Sequence, residues 1–598
     1  MLRRIFVLVT FLCAGCGMNN EQHFELSGPW SFRADSLDEG LSAQWFAADF
    51  DRSAWSEVKV PDHWERYNLP SYDGTGWFTT RFTHDDSSEP MALFFAGVDD
   101  DADIWLNGEK IGSHAGYSEA FFFDVTRALR KGVNTLVVRV VDYSGPGGIY
   151  RPVAVIPLKD VEELLRSPYA DLPARPSADW VKDAVIYEVY LRSFSKEGTF
   201  KALERKIPEL KDLGVTVLWL MPIHPVGTLH RKGTLGSPYA VMDYYAINPE
   251  FGTLDDFRSL VNTVHKHDLK IIIDLVANHT SWDSKLLREH PEWFTKDSTG
   301  KIVAPNTDWT DVADLDYDQP EVRDYMIRMM EYWIRDIGID GYRCDVAELV
   351  PTDFWERARK VLDKIKPVLL LSEGTVPEHH VRAFDITYAW NFYDVLSRVI
   401  QGSAPATLFA DIHRNEALQF PRGSLRMRFT TNHDKNAWDA PAVEKFTPEG
   451  AKAGAVLAFT FGGVPLIYNG EEVGNAKRLH LFEKVEIDWN RNPEFRSLFT
   501  QLTRLRREHA AFRRGTFESL DHSEPERVVA FRRRQGTETA IVIVNLSRES
   551  LEVSVTLPEP VSDLKEWLTG KDIRVSNGRL KIELDSFAYR VFVGNIPS

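Results

Sequence analysis

Residues 339–347 read IDGYRCDVA, directly after the helix-like run PEVRDYMIRMMEYWIRDIG at 320–338. In an extended strand alternate side chains face opposite sides. Gly341, Arg343 and Asp345 therefore share one face, and Tyr342, Cys344 and Val346 the other. A guanidinium two residues from a carboxylate on one face orients it and favours its ionised form. A small thiol between two apolar neighbours is the usual inert, packed cysteine. The stretch thus predicts a strand with chemistry on one side and packing on the other.

The same unit recurs from Lys182 to about Phe512. Strand-like runs are AVIYEVYLRSF (184–194), VTVLWLMPI (215–223), LKIIIDLVANH (269–279), PVLLLSE (367–373), LRMRFTTNHD (425–434) and GVPLIYNGEE (463–472). A weaker one surrounds AFDITYAWNF (383–392). Amphipathic helices lie between them, such as TDFWERARKVLDKIK (352–366), with Phe354, Trp355, Ala358, Val361, Leu362 and Ile365 at helical spacing. Near-continuous apolar strands alternating with helices indicate a parallel sheet covered on both faces. Seven clear strands and one weak one predict an α/β fold, a (β/α)8 barrel over 180–512 with a short insertion at about 280–318.

Shorter alternating strands occupy both flanks. ALFFAGVDDDADIWLNGEKIGSH (92–114) and NTLVVRVVDY (134–143) predict an N-terminal β-sandwich over 22–158. The Pro-rich stretch within 159–179 reads as a linker, and VVAFRRRQGTETAIVIVNLSRESLEVSVTL (528–557) opens a C-terminal β-sandwich over 513–598. At the extreme N-terminus, MLRRIFVLVTFLCAGC (1–16) has a basic start, a short apolar run and small residues before Cys16. It reads as a signal peptide, 1–15. Ala14-Gly15-Cys16 resembles a bacterial lipoprotein signal, which implies a lipid anchor on Cys16 at the cell envelope; Cys13 stands where that pattern usually has an aliphatic residue. A cleaved signal without lipid is the alternative. With Cys13 removed and Cys16 acylated, Cys344 is left alone and no internal disulfide forms. The 598-residue chain carries 71 basic against 88 acidic residues, a formal charge of −17, without the clustered Lys/Arg that phosphate neutralisation needs, which excludes a nucleic-acid partner. Its 17 Trp suit a neutral, stackable substrate such as a sugar.

In a (β/α)8 barrel the active site stands at the C-terminal strand ends, and here Asp274, Asp345, Glu373 and Asp434 occupy successive ends. Like charges in a shared cleft are unfavourable without compensation, so function is the economical reading. An ionised Asp345 beside Arg343 suits a nucleophile, and Glu373 in apolar LLLSEG suits a general acid with a raised pKa. Such a pair retains configuration when the carboxyls stand roughly 5–5.5 Å apart.

DLVANH (274–279), GYRCDVA (341–347), the SEG glutamate Glu373 and TTNHD (430–434) resemble, in order, the four signature segments of the α-amylase family, glycoside hydrolase family 13. SPYAVMDYYAINPEFGT (237–253) and VADLD (312–316) resemble two further family segments. The resemblance implies Asp345 as nucleophile, Glu373 as general acid/base and Asp434 as a third carboxylate that binds sugar hydroxyls. It implies that Arg343, His279 and His433 bond the nucleophile or the sugar, and that Tyr239 stacks on that sugar. Asn278 and Asp314 match positions whose oxygens often bind a structural Ca²⁺. The family's Lys-His after the nucleophile segment is Glu348-Leu349 here. The N-terminal region resembles the family 2 sugar-binding sandwich through VPDHWERY (60–67), YDGTGWFTTRF (72–82), IWLNGEKIGSHAGYSEAFFFDVT (104–126) and GGIYRPV (147–153). The expected activity is retaining hydrolysis of α-1,4 links in starch, glycogen or maltodextrins. Cyclomaltodextrinase, neopullulanase or α-glucanotransferase action is the near alternative. A non-catalytic glucan-binding protein is the remote one, which the intact trio of acids disfavours.

Overall fold

The computed structural model describes residues 24–26, 29–67, 69, 72–85, 89–114, 116, 120–143, 145–558, 561–573, 575 and 578–595. The signal segment and Cys16 lie outside them. Among the described residues no helix is long and apolar enough to cross a membrane. The chain divides into two compact units, Met1–Arg166 and Ser167–Ser598.

The first unit holds a six-stranded and a four-stranded sheet, both antiparallel. Gly74–His84 and Gly132–Asp142 form the long central pair of the larger sheet. Alternation sends Phe78, Val138 and Val140 inward, where they meet Leu93, Phe95 and Val153 of the other sheet in one apolar core around Trp64. This is the β-sandwich expected from the alternating runs.

The second unit is built on eight parallel strands closed into a barrel. They are β1 (Ile186–Val189), β2 (Val217–Leu220), β3 (Lys270–Leu275), β4 (Gly341–Cys344), β5 (Leu369–Ser372), β6 (Ile386–Tyr388), β7 (Leu425–Arg428) and β8 (Val464–Tyr468). β8 pairs with β1 and closes the ring. The weak eighth strand is β6, short because only Ile386–Tyr388 pairs with its neighbours. The helix read over 352–366 ends at Leu362. Pro367 follows closely, and a residue before proline disfavours the helical region, so the chain leaves through a tight turn with Ile365 N–H bonded to Leu362 O at 2.9 Å.

Of residues 159–179, read as a linker, 167–179 are instead tied to the barrel. Ser167 N–H donates to Leu418 O at 2.9 Å, Ala174 N–H to Arg422 O at 2.9 Å and Arg175 N–H to His380 O at 2.8 Å. Arg175 also ion-pairs with Asp385. Low periodicity hid these contacts because they are made by main chain and by polar side chains, Ser167, Arg175 and Ser177, without an apolar face. After the barrel, a five-stranded sheet (Thr516–Ser519, Val528–Gln535, Glu538–Asn545, Tyr589–Asn595, Ser562–Glu566) and a two-stranded one (Leu551–Thr556, Arg579–Leu584) share a core of Ile541, Ile543, Val553, Val555 and Leu580.

Candidate active site

The strand register brings the polar residues of three strands together. Asp274 of β3 lies beside Arg343 of β4, and Arg343 beside Leu371 of β5. Arg343 is fully buried. Its Nη1 donates to Asp274 Oδ1 at 2.9 Å and to Asp345 Oδ1 at 2.7 Å, and its Nε to the Tyr388 hydroxyl at 3.1 Å. Its Nη2 lies 2.8 Å from Glu373 Oε2. One guanidinium thus serves three carboxylates from three strands. The opposite face of β4 packs as parity requires: the Tyr342 hydroxyl donates to Met330 O at 2.8 Å, and Cys344 is fully buried. Burial pushes its thiol well above the ordinary range, so it stays protonated and inert.

Regular alternation stops at Cys344. Val346 takes a left-handed conformation, φ 37°, unfavourable for a β-branched residue. That turn aims the Val346 N–H at Glu373 Oε2, 2.7 Å away. Glu373 N–H bonds Cys344 O and Ala347 N–H bonds Glu373 O, both at 3.0 Å, so the ends of β4 and β5 are laced together.

A second chain of contacts crosses the barrel mouth. Glu188 of β1, fully buried, lies 2.5 Å from His433 Nδ1. His433 Nε2 is 2.7 Å from the Tyr239 hydroxyl and 3.2 Å from Asp434 Oδ2. Tyr239 OH and Trp219 Nε1 donate to Asp274 Oδ2 at 3.2 and 3.3 Å. The Tyr239 ring stacks on the His433 imidazole, centroids 5.5 Å apart. Side-chain exposure rises from 9% for Asp345 to 15% for Glu373 and 32% for Asp434, so the three acids face a mouth open on the Asp434 side.

Electrostatics separate these groups. Burial raises Glu373 to about 7 against the opposing pull of Arg343. Burial likewise raises Asp345 and Asp274 to about 6, again opposed by Arg343. His433 goes the other way: burial disfavours its charge, but Asp434 and Glu188 outweigh it and lift the imidazole to about 9. It is an imidazolium at neutral pH. His279 is held neutral by burial, which lowers it to about 3.

His279 does not join the carboxylate cluster. It follows β3, pairs with Asp314 across the two-stranded sheet of the insertion, and has Asn278 Nδ2 3.3 Å from its Nδ1. Of the sequence-based expectation that it bonds the nucleophile or the sugar, no bond to Asp345 is found among the described contacts; its ring lies 5.4 Å from that of Trp309 and contacts the Tyr239 main chain, beside the residue expected to stack on the sugar. Asn278 Nδ2 stands 3.4 Å from Asp314 Oδ1. The main-chain carbonyls of both residues already accept from Leu315 N–H and Thr295 N–H, each at 3.0 Å. One amide and one carboxylate oxygen suit Ca²⁺ in kind but supply two of its usual six to eight oxygens.

Three participants escaped the sequence reading. Glu188 carries a signal, a charge inside the apolar run AVIYEVY, but it stands within its strand rather than after it as Asp345, Glu373 and Asp434 do. Trp219 and Tyr388 look like ordinary core residues in sequence, and nothing local marks them.

A family model described as the alpha amylase catalytic domain matches residues 177–310 and 306–515. The chain belongs to the alpha-amylase family. Within it, this family member is 27% identical to alpha-amylase MalA of Haloarcula japonica over 67% of this chain and 60% of that protein. It is 27% identical to neopullulanase 2 of Thermoactinomyces vulgaris over 68% of this chain and 77% of that protein. The solved structure of a noncanonic maltogenic alpha-amylase, AmyB from Thermotoga neapolitana, superposes with a TM-score of 0.65 at 33% identity, covering 70% of this chain and all of that one. The chain therefore spans about 60% of the length of the first of these relatives. Within the first unit, residues 24–155 match a model described as the glycosyl hydrolases family 2 sugar binding domain.

Proposed function

We propose that this amylase-family protein hydrolyses α-1,4-glucosidic bonds of starch, glycogen or maltodextrins with retention of configuration. The observation that carries this reading is the Asp345 and Glu373 pair held on one Arg343 guanidinium, with the Glu373 carboxyl raised to about 7. Glu373 gives its proton to the leaving glycosidic oxygen while Asp345 attacks the anomeric carbon and forms a glycosyl ester. Glu373, now ionised, takes a proton from water, which opens the ester and restores both groups. Arg343 orients Asp345 throughout, Asp434 accepts from sugar hydroxyls on its open side, and Tyr239 offers its ring to the sugar.

Product analysis on maltoheptaose, β-cyclodextrin, pullulan and soluble starch, with NMR of the first anomer released, tests it. Initial α-anomers are expected, and initial β-anomers would refute retention. Preference for β-cyclodextrin or for pullulan would select the cyclomaltodextrinase or neopullulanase alternative, and dominant transfer products the glucanotransferase one.

The pKa values set a pH profile. Activity needs Asp345 ionised and Glu373 protonated, so kcat/KM rises as pH passes about 6 and falls as it passes about 7. A bell with its maximum between them is expected in a pH–rate series on maltoheptaose. A rate still climbing at pH 9 would remove Glu373 as the acid.

A structural Ca²⁺ at Asn278 and Asp314 extends the reading: EDTA should then lower Tm by several degrees, reversed by Ca²⁺ and absent in Asp314→Asn. An unchanged Tm would end it. Residues 1–16 support export and acylation at Cys16, and loss of labelled fatty acid in Cys16→Ala is the corresponding check; a variant that still labels would reject it.

A further inference from the structure

Away from the catalytic mouth, the second unit holds a half-open cavity of about 410 Å³ beside the N-terminal ends of β7 and β8. Its walls come from the helix Leu408–Gln419, the outer face of β7 and the edge of the C-terminal sandwich. Phe420, Phe461 and Phe517 give it apolar sides. Four arginines line it: Arg422 is exposed, and three are nearly fully buried, Arg426 at 4% exposed, Arg428 at 3% and Arg533 at 5%.

Charge balance singles out one of them. Glu416 serves two guanidiniums at once: Arg426 Nε lies at 3.3 Å, and Arg428 is bidentate, its Nη1 donating at 2.9 Å and its Nη2 to the other carboxylate oxygen, while its Nε donates to Gly462 O at 3.2 Å. Arg533 faces no carboxylate among the described residues. Its Nη1 and Nη2 donate to the carbonyls of Phe461 and Gly515 at 2.6 and 2.7 Å, and its Nε has no hydrogen-bond partner. Burial and the neighbouring Arg428 push the guanidinium down to about 10. A purely structural arginine would satisfy carbonyls too, but a buried cation next to another, with a donor left over, is an expensive staple. Nor is there need for space beside it if it only staples. Gly462, whose absent Cβ would stand 2.2 Å from Arg533 Nη1, leaves room for the guanidinium itself.

We propose that this cavity binds the phosphate monoester of a sugar-sized molecule, at the end of the barrel opposite the catalytic acids. The dianion would accept from the Arg533 guanidinium, which no described carboxylate neutralises, and from the exposed Arg422 on the cavity wall, as phosphates do on arginine forks. The cavity exceeds what inorganic phosphate fills and lies in the range of small-ligand sites, and the phenylalanine rings suit the apolar faces of a sugar.

The test is calorimetry on the full chain with glucose 6-phosphate, and with glucose as the uncharged control. Saturable binding of the ester, about tenfold or more tighter than glucose, is expected. Arg533→Met should weaken it by about tenfold or more while turnover of maltoheptaose is unchanged. Glu416→Gln, which removes the competing carboxylate, should tighten it, and this second variant decides the matter should Arg533→Met fold poorly. Absence of saturable binding, equal affinity for glucose, an unaffected Arg533→Met variant, or weaker binding in a folded Glu416→Gln variant would each overturn the proposal.

Discussion

Asp345→Asn lowers kcat on maltoheptaose by about 10⁴-fold or more, the scale seen when a nucleophile is removed, and at the same time makes the protein more stable at neutral pH. The amide keeps the shape and can still accept from Arg343 Nη1, which holds Asp345 Oδ1 at 2.7 Å. What disappears is a buried charge. Because burial raises the folded carboxyl to about 6, above its ordinary value, the charged form is disfavoured in the fold. Its contribution to stability is full below the unfolded pKa and is lost as pH rises through about 6. Removing the group restores about 1–3 kcal/mol at pH 7, an upward shift in Tm that calorimetry reads directly. Loss of activity with unchanged or lower Tm would mean that Asp345 is not held against an electrostatic gradient. Retained activity would dismiss it as nucleophile.

Arg343→Leu should do the reverse to stability. It strips the shared cation from Asp274, Asp345 and Glu373, which stand 2.9, 2.7 and 2.8 Å from it. Breaking a buried ionic cluster from one side typically costs about 3–5 kcal/mol, because the remaining charges are stranded. Without Arg343, whose charge lowers all three carboxyls, their pKa values climb further. Asp345 then stays protonated at neutral pH, and kcat falls by about 10²-fold or more. Denaturation midpoints and pH–rate profiles across wild type and variant measure both. Arg343→Lys should recover part of the stability and little of the activity, since a point charge cannot span three acids as a planar fork does. An Arg343→Leu variant as stable as wild type would show that the acids are already neutral in the fold.

The barrel and its acids were legible because both are written locally. Apolar runs of strand length alternate with amphipathic helices whatever else the chain does, and Asp345, Glu373 and Asp434 each follow such a run. Strand parity likewise separates Arg343 from Cys344 without any tertiary knowledge. The end of the helix at Leu362, ahead of Pro367, is also a local matter, though periodicity extended it to Ile365. The docking of residues 167–179 is a different case. Arg175 reaches Asp385, 210 positions away, and no pattern in either segment announces the other.

By itself, then, the sequence determined the fold class, the strand ends that carry acids and the side of β4 that does chemistry, since periodicity and parity follow from backbone geometry alone. Only the tertiary structure decided which charge meets which. Arg343 could have served Asp345 alone; the register of β3, β4 and β5 made it common to three acids. Glu188 meets His433 across 245 residues. That partnership depends on β1 and β7 both ending at one barrel mouth, a property of closure that no segment contains.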